Sequence, residues 1–460
     1  MEIDLNEVMI GDLHLHSKYS RATSIYLSFE NLVKWAKIKG INLLGTGDFT
    51  HPIWFEEIKK LENNGKGIYF FDGFPFVITG EISFIYTQET YNKSRLDSDS
   101  HHHSPTNSRL HSTTIARETP NVKSLAHPSD REFTESKRSL ERKGRRVHLN
   151  VLVPNVEVAE KINSYLDTKG RRDYDGRPIF KISCEEFVRE MKNIDDKIEI
   201  IPAHIWTPWF SMFGSKSGFD SFKECFGEMS EKVYAIETGM SSDPEMNWRI
   251  GELHNKSIVS FSDSHSFWPF RLGREATIFK KFDSYDELVR QIRKNDFIGT
   301  IETDPAYGKY HYDGHRNCSF SCSFEKTKKL NGLCPKCGKP LVIGVDYRVE
   351  ELATNKIGFR PQCAKPFFKL LPLHEIIVLA SGGRLESNST WNIYNDLISK
   401  FENEFNILLK VSKPEFFNKN VDDKLVELIL KNREGKIYVK PGYDGEYGVA
   451  ELGEKQATLV

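Results

Sequence analysis

The sequence predicts an α/β protein, either a barrel or a doubly wound sheet, over about the first 300 residues. Short apolar, β-branched runs recur from residue 8 to about 302, and a stretch with helical periodicity follows each of them. Continuous apolar runs separated by helices are typical of parallel strands that are covered on both faces. The runs are, in order, VMIGDLH, INLLGTGD, FPFVITGE, RRVHLNVLV, IEIIPAH, VYAIETG, SIVSFSDSH and FIGTIE.

Residues at the predicted helix ends support this alternation. Ser28 directly precedes FENLVKWAKIK and Gly40 directly follows it, which is typical of a capped helix. Two further helices begin with the spacing of a capping box, namely Ser183 with Glu186 and Ser284 with Glu287.

The composition narrows the class of protein. A chain of 460 residues with 38% hydrophobic residues and a net charge of −1 is typical of a globular protein with two or three domains, and it excludes a uniformly basic nucleic-acid coat. No apolar run approaches the ~20 residues that span a bilayer. The acidic N-terminus MEIDLNEVMI does not resemble a signal peptide, so we expect a cytoplasmic protein with no membrane partner and with reduced cysteines.

One stretch, residues 90–143, breaks the alternation. It is rich in Ser, His, Asn, Thr, Arg and Glu, and it contains three consecutive histidines at positions 101–103. Such a composition buries too little apolar surface to offset the entropy of ordering. We therefore expect a disordered insertion in a loop, and a solvated low-complexity tract rather than a metal site at the histidines.

Polar residues with metal-ligand chemistry stand at the ends of the predicted strands. Two are paired motifs, DLHLH with His14 and His16 and SDSH with Asp263 and His265. The others are single: Asp48, Glu81, His148 and His204. A lone buried His or Asp is more often a hydrogen-bonded core residue. Strand ends converge at one face of an α/β barrel, however, so the joint occurrence predicts a centre for divalent transition metals.

A second group of ligand-type residues follows at about residue 315. Cys334 and Cys337 form a CxxC knuckle and Cys318 lies upstream, which predicts a zinc ribbon. The spacing leaves the fourth ligand open between His315 and Cys322. Three other cysteines have no partner in the sequence, and we expect them to be buried small residues: Cys184, Cys225 and Cys363.

Basic and aromatic residues surround these motifs. Residues 305–345 hold seven basic side chains against two acids, which suits a phosphate backbone as well as it suits a solvated ribbon surface; the basic residues are Lys309, Arg316, Lys326, Lys328, Lys329, Lys336 and Lys339. A loop with Trp206, Trp209 and Lys216 directly follows His204. Its aromatic side chains are candidates for holding an extruded nucleotide, or else they cap the barrel core.

The ordered motifs resemble a known superfamily. DLHLHS, Asp48, the GE that ends at Glu81, the AH of His204 and SDSH look like those of PHP-domain phosphoesterases. Longer strings resemble the endonuclease Q family within it over nearly the whole chain except residues 90–143; they are GDLHLHSKYSRATS, LLGTGDFTHP, IPAHIWTPWF, FGSKSGFDS, SSDPEMNWR, SFSDSHSFWP and AYGKYHYDGHRNC. The resemblance implies a distorted (β/α)7 TIM-like PHP barrel over residues 1–303, a zinc ribbon over 304–347 and a mostly helical C-terminal domain over 348–460.

The resemblance also implies a set of ligands for two or three divalent ions, which are Zn, Mn or Mg. The first ion would be held by His14, His16, Glu81 and Asp263. The second would be held by Glu81, His148 and His204, with Glu81 bridging and with Glu81 and Asp263 as the catalytic residues. Asp48 and His265 would hold a third ion, but Ser20 and Arg21 stand where many PHP proteins have a further ligand. His51 is a candidate replacement or, equally, a loop residue at the N-terminus of the next helix, and Arg21 is a candidate phosphate contact.

The function implied by the resemblance is DNA repair. We expect a metal-dependent endonuclease that recognises deaminated bases (uracil, hypoxanthine, xanthine) or abasic sites in double-stranded DNA and hydrolyses the phosphodiester 5′ of the lesion. The expected DNA contacts are Arg21, Trp206, Trp209, Lys216, Lys309 and Arg316, and we expect a monomer with repair or replication proteins as further partners. A PHP-type small-molecule phosphatase and a non-catalytic DNA-binding accessory protein are the alternatives.

Overall fold

The computed structural model describes residues 4–91 and 140–452. The chain divides into two compact units, Met1–Tyr86 with Arg145–Val460 and Thr87–Gly144. Most of the tract 90–143 that we expect to be disordered lies outside the described residues. Its two ends are described and they are strand, because one strand continues to Tyr91 and the next begins at Leu140.

The described strands are, in chain order, β1 (Val8–Asp12), β2 (Leu43–Gly45), β3 (Glu62–Asn63), β4 (Tyr69–Phe71), β5 (Phe74–Tyr91), β6 (Leu140–Val153), β7 (Ile179–Phe180), β8 (Glu199–Pro202), β9 (Ala235–Glu237), β10 (Ser257–Val259), β11 (Ala276–Lys280), β12 (Gly299–Glu302), β13 (Asp313–His315), β14 (Phe320–Cys322), β15 (Phe367–Lys369), β16 (Tyr438–Lys440) and β17 (Val449–Glu451).

The described α-helices are α1 (Phe29–Lys39), α2 (Pro52–Ile58), α3 (Val156–Asp167), α4 (Cys184–Ile194), α5 (Phe222–Phe226), α6 (Pro244–Trp248), α7 (Tyr285–Arg293), α8 (Phe324–Lys329), α9 (Val345–Leu352), α10 (Leu373–Ser381), α11 (Asn388–Phe401), α12 (Glu404–Leu409), α13 (Lys413–Asn418) and α14 (Asp423–Arg433). Short 3₁₀ segments lie at Gly227–Lys232, Gly251–Leu253, Pro305–Tyr307 and Arg316–Cys318.

The central sheet is mixed, so the α/β class is confirmed. Its order is β15-β12-β11-β1-β2-β5-β4-β3, with β6 and β7 against β5 and β8 against β6. The expectation of parallel strands is only partly right. β1, β2 and β5 are parallel neighbours, whereas the β1/β11, β11/β12 and β6/β8 pairs are antiparallel. An apolar run reports burial on both faces, which either strand direction satisfies, so the pattern could not distinguish the two.

Two residues that we expected at strand ends lie inside long strands. Glu81 is within β5 and His148 is within β6. Both still reach the same edge of the sheet. Glu81 lies four residues beyond Val77, the last β5 residue that pairs with β2, and His148 accepts a hydrogen bond from Ala203 at the end of β8.

The helix ends agree with the sequence prediction. Ser28 caps α1, and Gly40 ends it with φ 95°, the left-handed conformation that glycine adopts without strain. At α4 and α7 the predicted serines accept a hydrogen bond from the backbone of the predicted glutamates, which is half of a capping box. A full capping box forms at Ser412 and Glu415 in α13.

Helices dominate the chain after residue 345, as predicted, and they pack on the N-terminal part of the fold. Lys39 of α1 is buried and forms an ion pair of 2.7 Å with the buried Glu404 of α12. The indole of Trp391 contacts Trp35 and Trp268 with ring centroids 5.4 and 5.3 Å away. Within the described residues no helix is long and apolar enough to cross a membrane.

Candidate metal centre

Two groups of potential metal ligands meet at the edge of the sheet where β1, β2 and β8 end. The first group is His14, His16, Glu81 and Asp263, and the second is Glu81, His148 and His204. In each group every residue offers a ligand atom within 4.8 Å of the others. The structure thus brings together the two sets that the resemblance implied, with Glu81 common to both.

The distances show how closely the carboxylates gather the imidazoles. Asp263 Oδ1 lies 3.0 Å from His16 Nε2 and 3.6 Å from His14 Nε2. Glu81 Oε1 lies 2.7 Å from His148 Nδ1 and 3.2 Å from His204 Nε2. The Nε2 atom of His14 is fully buried and has no hydrogen-bond partner. An orphaned buried nitrogen that faces two carboxylates fits a metal ion, because imidazole and carboxylate are its usual ligands.

Hydrogen bonds to the other ring nitrogens fix the orientation of three histidines. Nδ1 of His14 lies 2.9 Å from Glu237 Oε2, and Nδ1 of His16 lies 3.1 Å from Asp48 Oδ1. Nδ1 of His204 lies 3.0 Å from Ser211 Oγ. Metal-binding histidines typically bind an oxygen in this way, which leaves the lone pair of the second nitrogen free for the ion.

The backbone is strained at this edge. Asp48, His204 and Asp263 have φ angles of 44°, 32° and 49°. Such angles are uncommon for residues other than glycine and cost free energy of order 1–3 kcal/mol each. Gly239 is required beside them, because a Cβ atom there would lie 2.5 Å from the Cβ of His204. Strain of this kind clusters at functional sites.

The charges of the site favour cations. Burial opposes the charged form of His14, but Glu237, Asp263 and Glu81 outweigh it and hold the pKa of His14 well above its usual range. Burial also opposes ionisation of Glu81, yet His148 and Arg177 hold the pKa of Glu81 well below its usual range. For His148 burial prevails and lowers the pKa to about 4. Ionised carboxylates and a neutral imidazole are the states in which these groups bind metals.

The sequence analysis missed Glu237 and Arg177, and it gave no role to Asp12 of the DLHLH motif. Glu237 lies near the end of the VYAIETG run and ends strand β9, so the strand-end pattern contained the signal that could have found it. Arg177 donates to Glu81 over 2.9 Å from a loop with no strand or helix pattern. Buried Asp12 accepts from the backbone of Ser262 and Gly273 and so holds the segment that carries Asp263; burial raises the pKa of Asp12 to about 6.

The residues of the expected third ion have other partners in the structure. Asp48 accepts hydrogen bonds from the backbone and hydroxyl of Ser17 and from Ser20, besides its contact with His16. Nδ1 of His265 lies 3.0 Å from the backbone oxygen of Asp263. His51 is buried and stacks on Tyr19 with ring centroids 4.4 Å apart. Among the described residues, these side chains form no third ligand group, and the third ion stays a prediction.

In the structure His315, and not Cys322, lies with Cys318 and the CxxC pair; we call these four residues and their surroundings the cysteine module. His315, Cys318, Cys334 and Cys337 gather their ligand atoms within 4.8 Å of one another, and His315 Nδ1 lies 3.4 Å from Cys337 Sγ. Cys322 stands apart and contacts Thr327. The reason is strand register: β13 and β14 pair antiparallel with His315 opposite Phe320 and Asp313 opposite Cys322.

The expected DNA contacts divide by exposure. The expectation for Trp206 is wrong, because its side chain is fully buried and its indole donates to Asn247. Trp209 is 37% exposed and lies against Tyr310 at the rim of a cavity that also exposes His148, His204 and Asp263. The remaining expected contacts are all exposed: Arg21, Lys216, Lys309 and Arg316. Arg21 and Arg316 pair with Asp175 and Glu446 over 3.4 Å.

The three cysteines without a sequence partner do not share one environment. Cys184 and Cys225 are buried, as predicted. Cys363 is exposed, so that prediction is wrong, because it lies in the irregular segment between α9 and β15 rather than on a core-facing element.

Two solved structures match nearly the whole of this chain. One is the novel lesion-specific endonuclease PfuEndoQ from Pyrococcus furiosus, with a TM-score of 0.77, 26% sequence identity, and coverage of 98% of this chain and 97% of that one. This chain is a structural relative of endonuclease Q. The second structure is endonuclease Q in complex with a 27-mer duplex substrate with an abasic lesion at the active site; it has the same TM-score and identity and covers 98% of each chain.

Sequence comparisons match parts of this chain. The family described as the MJ0043 C-terminal domain matches residues 372–436, which include helices α10 to α14. The protein MJ0043 of Methanocaldococcus jannaschii is 34% identical over 289 residues, which are 61% of this chain and 34% of that protein. The protein YqxK of Bacillus subtilis is 24% identical over 312 residues, which are 66% of this chain and 73% of that protein. The aligned region thus spans about a third of the length of MJ0043.

Proposed function

We propose that this protein is a metal-dependent DNA endonuclease that acts at damaged bases. The observation that carries the proposal is the pair of ligand groups that share Glu81, in a chain that matches lesion-specific endonuclease Q over 98% of its length. Many hydrolases that cut phosphodiesters use a pair of divalent ions, and two ligand groups that share one carboxylate suit such a pair.

The chain's own residues define the reactive centre. Glu81 and Asp263 are the carboxylates that face two or more imidazoles; Glu81 is common to both groups, and Asp263 is the second carboxylate of the first group. Divalent ions such as Zn, Mn or Mg supply the positive charge that activates water and stabilises charge on the phosphate. Glu237, Asp48 and Ser211 hold the rings of His14, His16 and His204 in place for that role.

The finer architecture belongs to the same proposal. The N-terminal region, residues 1–303, is a distorted (β/α)7 PHP barrel, and the segment 304–347 is a zinc ribbon with the ligands His315, Cys318, Cys334 and Cys337. One imidazole with three thiolates is an ordinary donor set for structural zinc. The backbone N–H groups of Lys336 and Cys337 oppose the effect of burial and lower the pKa of Cys334 to about 7, which favours the thiolate.

The DNA surface lies around the metal centre and the ribbon. The seven basic side chains of residues 305–345 are all exposed. Trp209 and Tyr310 stand at the rim of the cavity beside the metal ligands, where an extruded nucleotide could stack on an aromatic ring. A deaminated or missing base is selected because a weakened base pair costs less free energy to open. The cut falls 5′ of the lesion.

The test uses purified full-length protein and end-labelled duplexes that contain one uracil, hypoxanthine, xanthine or abasic site. With Mn²⁺ or Mg²⁺ we expect a nick 5′ of the lesion on a sequencing gel, no nick in the undamaged duplex, and no nick in EDTA. Nicking in the presence of excess EDTA would contradict the metal requirement.

Two further outcomes would replace the proposal by an alternative. Lesion-specific binding without any nick would indicate a non-catalytic accessory protein. Hydrolysis of small phosphomonoesters with no affinity for duplex DNA would indicate a small-molecule phosphatase.

A further inference from the structure

Arg177 is a cationic residue that lies within the candidate metal centre. Its Nη1 atom lies 2.9 Å from Oε2 of Glu81, the carboxylate common to both ligand groups, and its side chain is 24% exposed. Asp263 and Asp175 face the same guanidinium. The guanidinium of Arg177 therefore contacts the candidate metal centre and is also accessible to solvent. A substrate can reach it from the solvent side.

The loop that carries Arg177 is tightly held. Gly176 accepts a hydrogen bond from Thr50 and donates to the backbone oxygen of Tyr19. A Cβ atom at Gly176 would lie 2.2 Å from Asp48 Oδ2, so only glycine fits there. The backbone of Arg177 donates to Asp175 over 3.1 Å. The backbone that carries Arg177 is thus held in place by packing and hydrogen bonds, and the ion pair with Glu81 places the guanidinium.

Glu81 cannot remain the partner of this guanidinium when ions occupy both ligand groups. Glu81 then offers its oxygens to divalent cations, and a guanidinium beside those cations is repelled unless an anion lies between them. A phosphate fits that position, because the planar donors of arginine match its oxygens. Resting on the proposed function, we propose that Arg177 binds the phosphodiester that is cut and stabilises its charge in the transition state.

The competing role is purely structural: Arg177 would neutralise Glu81 and do nothing to DNA. The two roles differ in what they couple to. A phosphate-binding arginine loses its effect when the phosphate loses its charge, whereas a residue that only balances Glu81 is indifferent to the DNA backbone. A double-mutant cycle between the arginine and the phosphate therefore separates them.

The experiment compares wild type, Arg177→Ala and Arg177→Lys with Arg171→Ala. Arg171 lies in the same loop, is 77% exposed and pairs with Asp173, so it controls for loss of a loop cation. Each protein binds an abasic duplex with either a normal phosphate or a neutral methylphosphonate 5′ of the lesion, in Ca²⁺ with an intact duplex confirmed on a gel. Metal content is measured on every variant.

We expect the methylphosphonate to weaken binding about 10-fold more for wild type and Arg171→Ala than for Arg177→Ala. A charge-assisted hydrogen bond contributes about that factor, whereas the attraction between the divalent ions and the phosphate is reduced in all three proteins. The nicking rate of Arg177→Ala should fall about 10²- to 10³-fold with normal metal content, with partial recovery in added guanidinium. Arg177→Lys should fall in between.

Equal sensitivity of wild type and Arg177→Ala to the methylphosphonate would overturn the inference, and so would loss of bound metal in both Arg177 variants together with no rescue by guanidinium. A wild-type protein that nicks no lesion would instead contradict the proposed function itself.

Discussion

At the scale of single residues, the contacts at Nδ1 of His14 and of His16 leave the Nε2 atom of each ring available to a metal ion. Glu237 holds His14 and Asp48 holds His16, so that both Nε2 atoms face Asp263 and Glu81. Without those partners the rings could rotate or change tautomer, and the ion would lose ligands in a defined geometry. Substitution of a carboxylate that faces Nε2, such as Asp263, should therefore have a larger effect than substitution of one that holds Nδ1, such as Glu237.

Asp263→Asn removes the charge of a candidate metal ligand. We expect the nicking rate to fall by about two orders of magnitude or more and the bound metal to decrease, while affinity for the lesion duplex in Ca²⁺ changes little, because the DNA surface is intact. Gel assays and metal analysis measure this. Asp283→Asn is the control, because Asp283 is exposed and its carboxylate forms an ion pair with Lys66. Normal turnover of Asp263→Asn would refute the ligand assignment.

Glu237→Gln keeps the shape of the side chain that contacts Nδ1 of His14 but removes its charge. The expected result is a 10- to 100-fold loss of metal affinity, the usual cost of losing such a partner, with a rate that recovers at high metal concentration. A metal titration of activity measures it. Glu57→Gln serves as the matched variant because Glu57 pairs with Lys18 outside the ligand groups. A rate that stays low at saturating metal would place Glu237 in the chemistry itself.

At the scale of elements, the cysteine module has too small a core to hold itself together. Its buried apolar cluster contains Cys322, Cys334 and Leu341, with Cys318, Phe320 and Leu330 against it. The knuckle depends on Gly338, which has φ 71° and donates to the Cys334 carbonyl over 2.8 Å. A metal ion would supply the missing folding free energy, as in other small zinc modules.

The double variant Cys334→Ser with Cys337→Ser should lose one zinc ion per chain. We expect weaker DNA binding with a smaller dependence on salt, because the basic surface of residues 305–345 is no longer ordered. His315→Ala should lose the same ion, whereas Cys322→Ala should keep it. Zinc analysis and anisotropy at several salt concentrations measure these effects. Zinc loss in Cys322→Ala but not in His315→Ala would reverse the assignment.

At the scale of the whole molecule, the C-terminal helices support the segment that follows the candidate ligand Asp263. Buried Lys39 joins Glu404 of α12 to the backbone oxygen of Pro269, a few residues after Asp263. Trp391 packs on Trp268 of the same segment. The helical region therefore contributes to the stability of the loop that carries Asp263 and His265.

Glu404→Ala should destabilise the protein by about 3–5 kcal/mol, because it leaves the ammonium of Lys39 buried without its carboxylate. The pKa of Lys39 is already lowered by burial, so loss of the partner favours its neutral form further. Urea denaturation measures the free energy of unfolding. Asp396→Ala, which removes the exposed pair with Lys400, should cost about 0.5 kcal/mol or less. Equal costs for the two variants would contradict the role of the buried pair.

The sequence alone determined the class of fold and the residue types of the candidate metal centre. His14, His16, Asp263 and the CxxC pair are encoded by local patterns, strand end or knuckle, that survive without any knowledge of packing. Trp206 shows the limit of such patterns. The local sequence of a loop tryptophan does not show whether its ring faces solvent or, as here, packs in the core with its indole donating to Asn247.

The partners were decided by tertiary structure. Glu237 meets His14 across 223 residues, and Arg177 meets Glu81 across 96. The register of β13 with β14 brings His315, and not Cys322, to the cysteine cluster. Strand direction in the sheet was likewise settled by pairing, since an apolar run is buried equally well in either direction. Local sequence specifies which atoms can bind, whereas distance and orientation between remote segments specify which of them do.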